Sequence, residues 1–236
     1  MLFRSVGSTV TGLDVTLNKH KIATWGLTDV EVAENSGLSL VRMGTQKGAE
    51  LAKLVWQDIL SLVTASNYGA AGLTSTAGNF DSDDVADLAA VATGADWPTS
   101  MRSIVLRETY MASLVKDNAV QGTMGVERSG ALAENVVPRL HKFSVYESAA
   151  IPANGENLVG FIAHPDAILC AMRYLQPQQG NTYFDARAVT DPNGSGITLG
   201  FRDFYDNDAG QRIQVLEAFY GYAKGNGSAL KRIVSS

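Results

Sequence analysis

The sequence is poor in cysteine and in charge. Its 236 residues include one cysteine, Cys170, so an internal disulfide and a cysteine-based zinc cluster are excluded, and a reducing compartment is favoured. Charged residues make up only 18% of the chain and hydrophobic residues 45%, which gives little charge for the surface of a soluble monomer. We therefore expect partner molecules to cover part of the surface.

A basic excess and a long apolar run are also missing. The net charge of -5 argues against a nucleic-acid reader, because affinity for phosphate rests on clustered lysines and arginines. No run of about 18 apolar residues indicates a transmembrane helix, and the first residues, MLFRSVGSTVTG, lack the apolar core of a signal peptide. These absences predict no membrane partner and a cytoplasmic origin.

The sequence lacks the common catalytic and ligand-binding signatures. It contains no G-x-S-x-G elbow, no phosphate-binding loop and no H-E-x-x-H, and the glycine-rich piece at Gly225–Leu230 lacks the third glycine of a dinucleotide fingerprint. Asp203, Asp206 and Asp208 have the spacing D-x-x-D-x-D, but no bidentate glutamate follows as in a calcium loop. We therefore predict no catalytic residue, no cofactor and no metal.

One segment, GFIAHPDAILCAMRYL, brings a histidine, a carboxylate and the cysteine close together in sequence. Proline after His164 suits the first position of a helix, so a helix is predicted over Pro165–Leu175. On that helix His164 and Cys170 lie on opposite faces, and the cysteine serves as a small hydrophobe in an apolar stripe. The alternative is a small α/β hydrolase-like enzyme in which Asp166 or Glu147 orients His164.

The elements that the sequence does predict are extended ones. Alternation over Val6–Leu17 is typical of a solvated strand or hairpin arm, and apolar residues at helical spacing over Ser36–Ser66 predict one helix. About 30 residues in a helix span roughly 45 Å, which is long for a compact domain of this size. The aromatic stretch Tyr183–Ala223 alternates around two Asn/Asp/Gly turns and predicts a β-meander.

Between these elements, shorter patterns predict a mixed α/β layer. An acidic N-terminal turn precedes one of its helices, where negative charge stabilises the helix dipole. The predicted elements are helices at Asp83–Thr93 and Thr109–Lys116 and strands at Arg102–Arg107, Phe143–Glu147 and Leu158–Ala163.

The order of these segments resembles that of tailed-bacteriophage major capsid proteins over nearly the whole chain. The resemblance rests on the long helix after an extended arm and on the pieces ADWPTSMRSIVLRETYMASLVKD, FSVYESAAIP, GFIAHPDAILCAMRYL and AVTDPNGSGITLGFRDFYDNDAGQRIQVLEAFYGYA. It implies an α+β fold of the Hong Kong 97 type, with an axial domain, a peripheral domain that carries a long spine helix, and an extended β-hairpin loop.

The resemblance also implies a division of the chain and a set of contacts. The implied parts are an extended loop at 1–21, a peripheral domain at 22–66 and 180–222 with its spine helix at 36–66, and an axial domain at 67–179 and 223–236. The implied subunit-interface candidates are Val10, Leu13, Val15, Asp191, Asn193 and Ser195. Family members begin with an N-terminal arm before this loop, whereas Met1 falls almost at the loop, so we expect a very short arm or a chain that is a fragment.

The function implied by the resemblance is structural and not enzymatic. The chain would be a subunit of an icosahedral bacteriophage capsid (class Caudoviricetes), self-assembling into pentamers and hexamers around double-stranded DNA. Expected partners are further copies, portal, scaffolding and possible decoration proteins, and DNA bound without sequence specificity. The expected location is the virion, after assembly in the host cytoplasm. A bacterial nanocompartment shell of the same fold is a variant of this hypothesis.

Overall fold

The computed structural model describes residues 12–34, 39–120, 137, 139–177, 183–190 and 197–236. Within these ranges the α-helices are α1 (Asp29–Glu34), α2 (Leu40–Leu60), α3 (Ala65–Tyr68), α4 (Ser82–Gly94) and α5 (Glu108–Lys116). The strands are β1 (Lys19–Thr28), β2 (Leu73–Thr74), β3 (Ser103–Leu106), β4 (Arg139–Leu140), β5 (Phe143–Glu147), β6 (Leu158–Ala163), β7 (Ile168–Met172), β8 (Asp185–Thr190), β9 (Thr198–Asp206), β10 (Gln211–Lys224) and β11 (Leu230–Val234).

The first sheet is antiparallel and has the order β1–β10–β9–β8. Strand β9 pairs with the first half of β10, and strand β7 pairs with the last residues of β10 on the same side. The meander predicted near the C-terminus is therefore present, and β1 joins it from the other end of the chain. Strand β1 was not predicted, because the alternation noted over Val6–Leu17 ends just before it begins. Residues 12–18 form no regular element, and residues 6–11 lie outside the described part.

Helix α2 packs on one face of this sheet. Leu51 and Ile59 of the helix are buried against Ala218 and Tyr220 of β10. The helix approaches β1 closely at Gly44, where a Cβ atom would lie 2.8 Å from the ring of Trp25. The Trp25 indole also donates a hydrogen bond of 3.1 Å to the Leu40 carbonyl, at the start of the helix. The core of the first sheet is thus formed by α2, β1 and β10.

The long helix is shorter than predicted at both ends. It begins at Leu40 and ends at Leu60, whereas Ser36–Ser66 was predicted; residues 35–38 lie outside the described part. Thr64 has an extended backbone and its hydroxyl accepts a hydrogen bond from the Asn67 amide, so it caps α3 instead of continuing α2. Val63, which the apolar spacing assigned to the long helix, is fully buried as predicted, but it lies after the end of α2.

The second sheet has the order β2–β11–β6–β3–β5–β4 and contains both parallel and antiparallel pairs. Helices α4 and α5 contribute Leu88 and Leu114 to a core that β3 and β5 complete with Ile104 and Phe143. Asp81 caps α4 by accepting hydrogen bonds from two amides of its first turn. The predicted helices and strands of this layer are all present, with ends shifted by at most one residue.

The buried Arg102 closes the opposite end of α4. Its guanidinium donates hydrogen bonds to the Thr93 hydroxyl and to the carbonyls of Trp97 and Pro98. Arg102 thus ties the last turn of α4 to the loop before β3, and its positive charge lies near the negative end of the helix dipole.

The helix predicted over Pro165–Leu175 is wrong. Pro165 does begin a helical turn, but the turn is a single 3-10 turn that ends at Ala167, and strand β7 follows. A helix would need the carbonyls of Asp166 and Ala167 for its own amides. Here those carbonyls accept hydrogen bonds from the amides of Asn226 (2.8 Å) and Gly225 (2.9 Å). Strand β7 lies within the range predicted for the axial domain, yet it pairs in the first sheet.

Candidate subunit-interface surfaces

An apolar groove runs beside α2, where the first sheet, the second sheet and the loop after β5 meet. It consists of two adjoining clefts of about 550 Å³ and 640 Å³ that share several lining residues, among them Trp56, Ile59 and Cys170. Glu147 and Ser148 also line both clefts. We call this continuous surface the α2 groove.

Trp56 is the central side chain of the α2 groove. Its indole donates a hydrogen bond of 3.3 Å to the Ser148 hydroxyl and so links the helix to the loop after β5. It nevertheless remains 41% exposed. Tyr146, Leu169 and Ile197 are further large exposed apolar or aromatic residues on the elements that border the groove. Open apolar surface of this kind marks interaction sites, because it is costly to leave in water.

The sequence analysis missed the α2 groove. Trp56 follows Ala52 by four residues and precedes Ile59 by three, so helical spacing places it at the edge of the apolar stripe of α2, although the prediction left it out of the stripe. A tryptophan at the edge of an apolar stripe was the signal that could have identified it. Its neighbours in the groove come from distant parts of the chain, which spacing along α2 cannot reveal.

The histidine and the cysteine singled out in the sequence also line the α2 groove. His164 Nδ1 lies 3.2 Å from Asp166 Oδ2, and His164 Nε2 is buried without a hydrogen bond in the described part of the chain. Glu147 lines the same cleft. The structure thus brings these three residues of the enzymatic alternative into one region.

Cys170 does not complete a catalytic group. The predicted opposite-face arrangement is wrong, because Cys170 lies on a strand and its side chain is exposed along the groove. The surrounding protein atoms desolvate the thiol and raise its pKa, so it is a poorer nucleophile than an ordinary cysteine. The residues of the enzymatic alternative therefore meet beside a cysteine that its surroundings do not activate.

Two of the predicted interface residues lie in the described part of the chain. Leu13 is 52% exposed, and Val15 is partly buried. Their segment lies over the first sheet at Gly221, where a Cβ atom would be only 2.0 Å from the Thr16 carbonyl oxygen. Val10, Asp191, Asn193 and Ser195 lie outside the described residues.

Two ionic clusters fix the first sheet on its opposite faces. On the face away from α2, Glu217 accepts hydrogen bonds from Arg202 (2.6 Å) and His20 (3.1 Å), which joins β10 to both neighbouring strands. On the α2 face, Arg212 donates two hydrogen bonds to Asp203, and these lower the pKa of that carboxyl. Both carboxylates are thus committed to holding strands together.

The acidic turn after β9 is also structural. Asp206 accepts hydrogen bonds from the amides of Asp208 and Ala209. Among the described residues, no cluster of three or more His, Cys, Asp and Glu side chains has a geometry that could hold a metal ion. No helix in the described ranges is both long and apolar enough to cross a membrane.

Comparisons with known proteins give similarities in structure only. No protein-family model and no curated protein matches this chain. The capsid structure of cyanophage P-SCSP1u is 15% identical, with a TM-score of 0.58 over 100% of this chain and 80% of that chain. A structure from Mycobacterium phage Che8 is 15% identical, with a TM-score of 0.62 over 98% of this chain and 76% of that chain.

A third similar structure is the virus-like particle from Pyrococcus furiosus, at 12% identity and a TM-score of 0.52, over 92% of this chain and 75% of that chain. These similarities extend over nearly the whole chain. They confirm the predicted α+β fold of the Hong Kong 97 type, the fold of tailed-phage major capsid proteins.

Proposed function

We propose that this chain is the structural subunit of an icosahedral virus capsid, whose copies assemble into pentamers and hexamers that enclose double-stranded DNA. The observation that carries the proposal is the capsid fold across essentially the whole chain. The open α2 groove supports it, because a subunit that repeats in a shell can cover such a groove with neighbouring copies.

The proposed division into domains follows the two sheets. The first sheet with α2 corresponds to the peripheral domain at 22–66 and 180–222, and the second sheet with α4 and α5 to the axial domain at 67–179 and 223–236. Strand β7 would then be a contribution of the axial range to the peripheral sheet. The extended loop at 1–21 would reach a neighbouring subunit with the part that precedes residues 19–21, since those three residues pair with β10 of the same chain.

The proposed contacts of the extended loop include Leu13 and Val15, together with Val10. The loop around Asp191–Gly196 would provide the contacts of Asp191, Asn193 and Ser195. Leu13 supports the first set. Its side chain is about half exposed in one copy, and covering it with a neighbouring copy removes apolar surface from water, which stabilises the contact.

The proposed partners beyond further copies are portal, scaffolding and decoration proteins and the packaged DNA. The net charge of -5 suits a wall that holds dense DNA without binding it tightly. The proposed location is the virion capsid, after assembly in the host cytoplasm.

A second candidate is a shell of the same fold that encloses something other than a viral genome. This variant rests on the shared fold, which the virus-like particle from Pyrococcus furiosus also resembles, and the comparisons do not favour it over a capsid. The contents of purified particles distinguish the two candidates: long double-stranded DNA indicates a capsid, and enclosed protein indicates a nanocompartment.

The test of the proposed function is the size of the purified full chain. Light scattering and negative-stain microscopy should show closed particles of megadalton mass. Trp56→Ala should reduce particle yield without lowering the thermal midpoint of the dissociated subunit by more than a few degrees. Leu54→Ala is the matched control, because Leu54 is also exposed on α2 but does not line the groove.

A third variant separates assembly from folding. Leu88 is fully buried in the core of the second sheet and does not line the groove, so Leu88→Ala should destabilise the subunit itself, by about 2 to 5 kcal/mol. The proposal is refuted if the wild-type chain remains a compact monomer or dimer under conditions in which its fold is intact.

A further inference from the structure

Strand β1 forms one edge of the first sheet. It pairs with β10 along its full length of ten residues, and in the described part of the chain no strand pairs with its other side. An edge of this length presents a row of backbone donors and acceptors, which is a template for pairing with another chain.

The register shows which residues of β1 point outward. The Asp29 amide donates to the Gly210 carbonyl (3.1 Å), so these two residues form a hydrogen-bonded pair at the end of the ladder. Hydrogen-bonded and non-hydrogen-bonded pairs alternate along an antiparallel ladder. The odd-numbered residues of β1 therefore point their backbone groups at β10, and the even-numbered residues point theirs at the free edge.

The other side of β10 gives the same result independently. The Arg173 amide donates to the Phe219 carbonyl (2.9 Å), so Phe219 directs its backbone groups towards β7. Its neighbour Tyr220 must then direct its groups towards β1, where it pairs with Lys19. The outward-pointing residues of β1 are thus His20, Ile22, Thr24, Gly26 and Thr28.

One end of this edge is blocked and the rest is open. The outward amide of Thr28 donates to Glu31 Oε2 (2.8 Å), which satisfies that donor within the subunit. Among the described residues, no backbone hydrogen bond reaches the outward groups of the other four residues, His20, Ile22, Thr24 and Gly26. The four span about 20 Å of edge at the usual rise of a strand.

The open part has few of the devices that usually protect an edge. Natural edge strands are blunted by proline, bulges or charged side chains, whereas β1 has a continuous register and no proline, and Lys21 is the one lysine in its open part. On the face away from α2 it exposes an apolar side chain, Ile22, which is 55% exposed. In a monomer such an edge favours unwanted pairing.

We infer that a neighbouring copy of this chain adds an extended segment to β1 and pairs with its outward groups from His20 to Gly26. This inference rests on the proposed function and names one contact within the shell. A second copy is the occupant because every subunit of a closed shell then satisfies the same edge in the same way. The paired segment would also cover Ile22.

Proline substitutions at adjacent positions test this inference. Thr24→Pro removes an outward amide and leaves the pairing with β10 intact, so the dissociated subunit should keep its fold and particle assembly should be lost. Ala23→Pro is the matched control, since it removes an amide that faces β10 and should unfold the first sheet. Thr24→Val keeps the amide and should assemble like the wild type.

The outcomes separate this inference from the proposed function. If Thr24→Pro folds and forms particles in wild-type yield, the inference is wrong and the shell function stands. If the wild-type chain forms no particles, the proposed function fails and this inference fails with it.

Hydrogen exchange of the wild type decides the case in which Thr24→Pro does not fold. The amides of Ile22 and Thr24 should exchange at least about tenfold more slowly in particles than in dissociated subunits. Equal exchange in the two states overturns the inference, including the case in which the chain's own first residues cover the edge.

Discussion

Glu217→Ala should destabilise the subunit more than its single side chain suggests. Glu217 is only 4% exposed and accepts hydrogen bonds from Arg202 and His20, so three strands of the first sheet meet at one carboxylate. Its removal leaves the Arg202 guanidinium without its ionic partner at a site that is largely shielded from water.

The magnitude follows from the burial of the two partners. Removing one member of a fully buried ion pair costs about 3 to 5 kcal/mol. The Arg202 side chain is 23% exposed, so water can partly hydrate it once Glu217 is removed. We therefore expect the free energy of unfolding to fall by about 2 to 3 kcal/mol. For a chain of this size that loss lowers the thermal midpoint by roughly 5 to 10 °C.

Urea unfolding of the dissociated subunit, followed by tryptophan fluorescence, measures this loss. Glu217→Gln should fall between Glu217→Ala and the wild type, because the amide can still accept a hydrogen bond. The control is Glu50→Ala: Glu50 pairs with Lys47 but is 63% exposed, so less than about 0.5 kcal/mol should be lost. Equal losses for Glu217→Ala and Glu50→Ala would refute the reasoning.

Three further outcomes are expected. The pKa of Asp203 is held below its ordinary value of 3.8, chiefly by the hydrogen bond from the Arg212 guanidinium. The stabilisation from this carboxylate is therefore present above pH 3.8 and is lost as the pH falls through the folded pKa. Below about pH 4 the urea midpoint should fall less steeply with pH for Asp203→Asn than for the wild type, and parallel curves would contradict this. Tyr220→Phe removes the buried hydroxyl that donates to Asp58 (2.7 Å) and should cost about 1 to 2 kcal/mol in the same unfolding assay, whereas no loss would argue against that hydrogen bond. Gly221→Ala should push the backbone at Thr16 off the sheet and speed amide exchange of residues 12–18, with little change in the thermal midpoint; unchanged exchange would show that the segment does not lie there.

Strands β3, β5 and β6 of the second sheet and helices α4 and α5 were predictable because their signals are local. The acidic turn before α4 and the apolar pattern after it lie within one stretch of chain, β5 begins with alternating apolar and polar residues, and β6 is a short apolar run. Each of these elements would be favoured by its own sequence before any tertiary contact forms.

The elements that were missed depend on distant partners. Strand β7 has a proline start and apolar spacing that also suit a helix, and its pairing with β10 about 50 residues later decides between the two. Strand β1 pairs with β10 across nearly the whole chain. The α2 groove needs a helix, a strand and a loop from three regions, so no pattern along one segment could predict it.

Helix α2 connects two separate cores. Leu51 and Ile59 belong to the core under the first sheet, while Leu60 and Val63 belong to a cluster with Val105 of the second sheet. The 21 residues of the helix form a stiff rod of about 32 Å, and it ends at this junction. The tilt between the two halves of the molecule is therefore set by the few residues after Leu60, together with the short connections from β6 to β7 and from β10 to β11. In a closed particle, a small change of that tilt would alter the curvature of the wall, and hence the particle diameter, while both cores stay as they are.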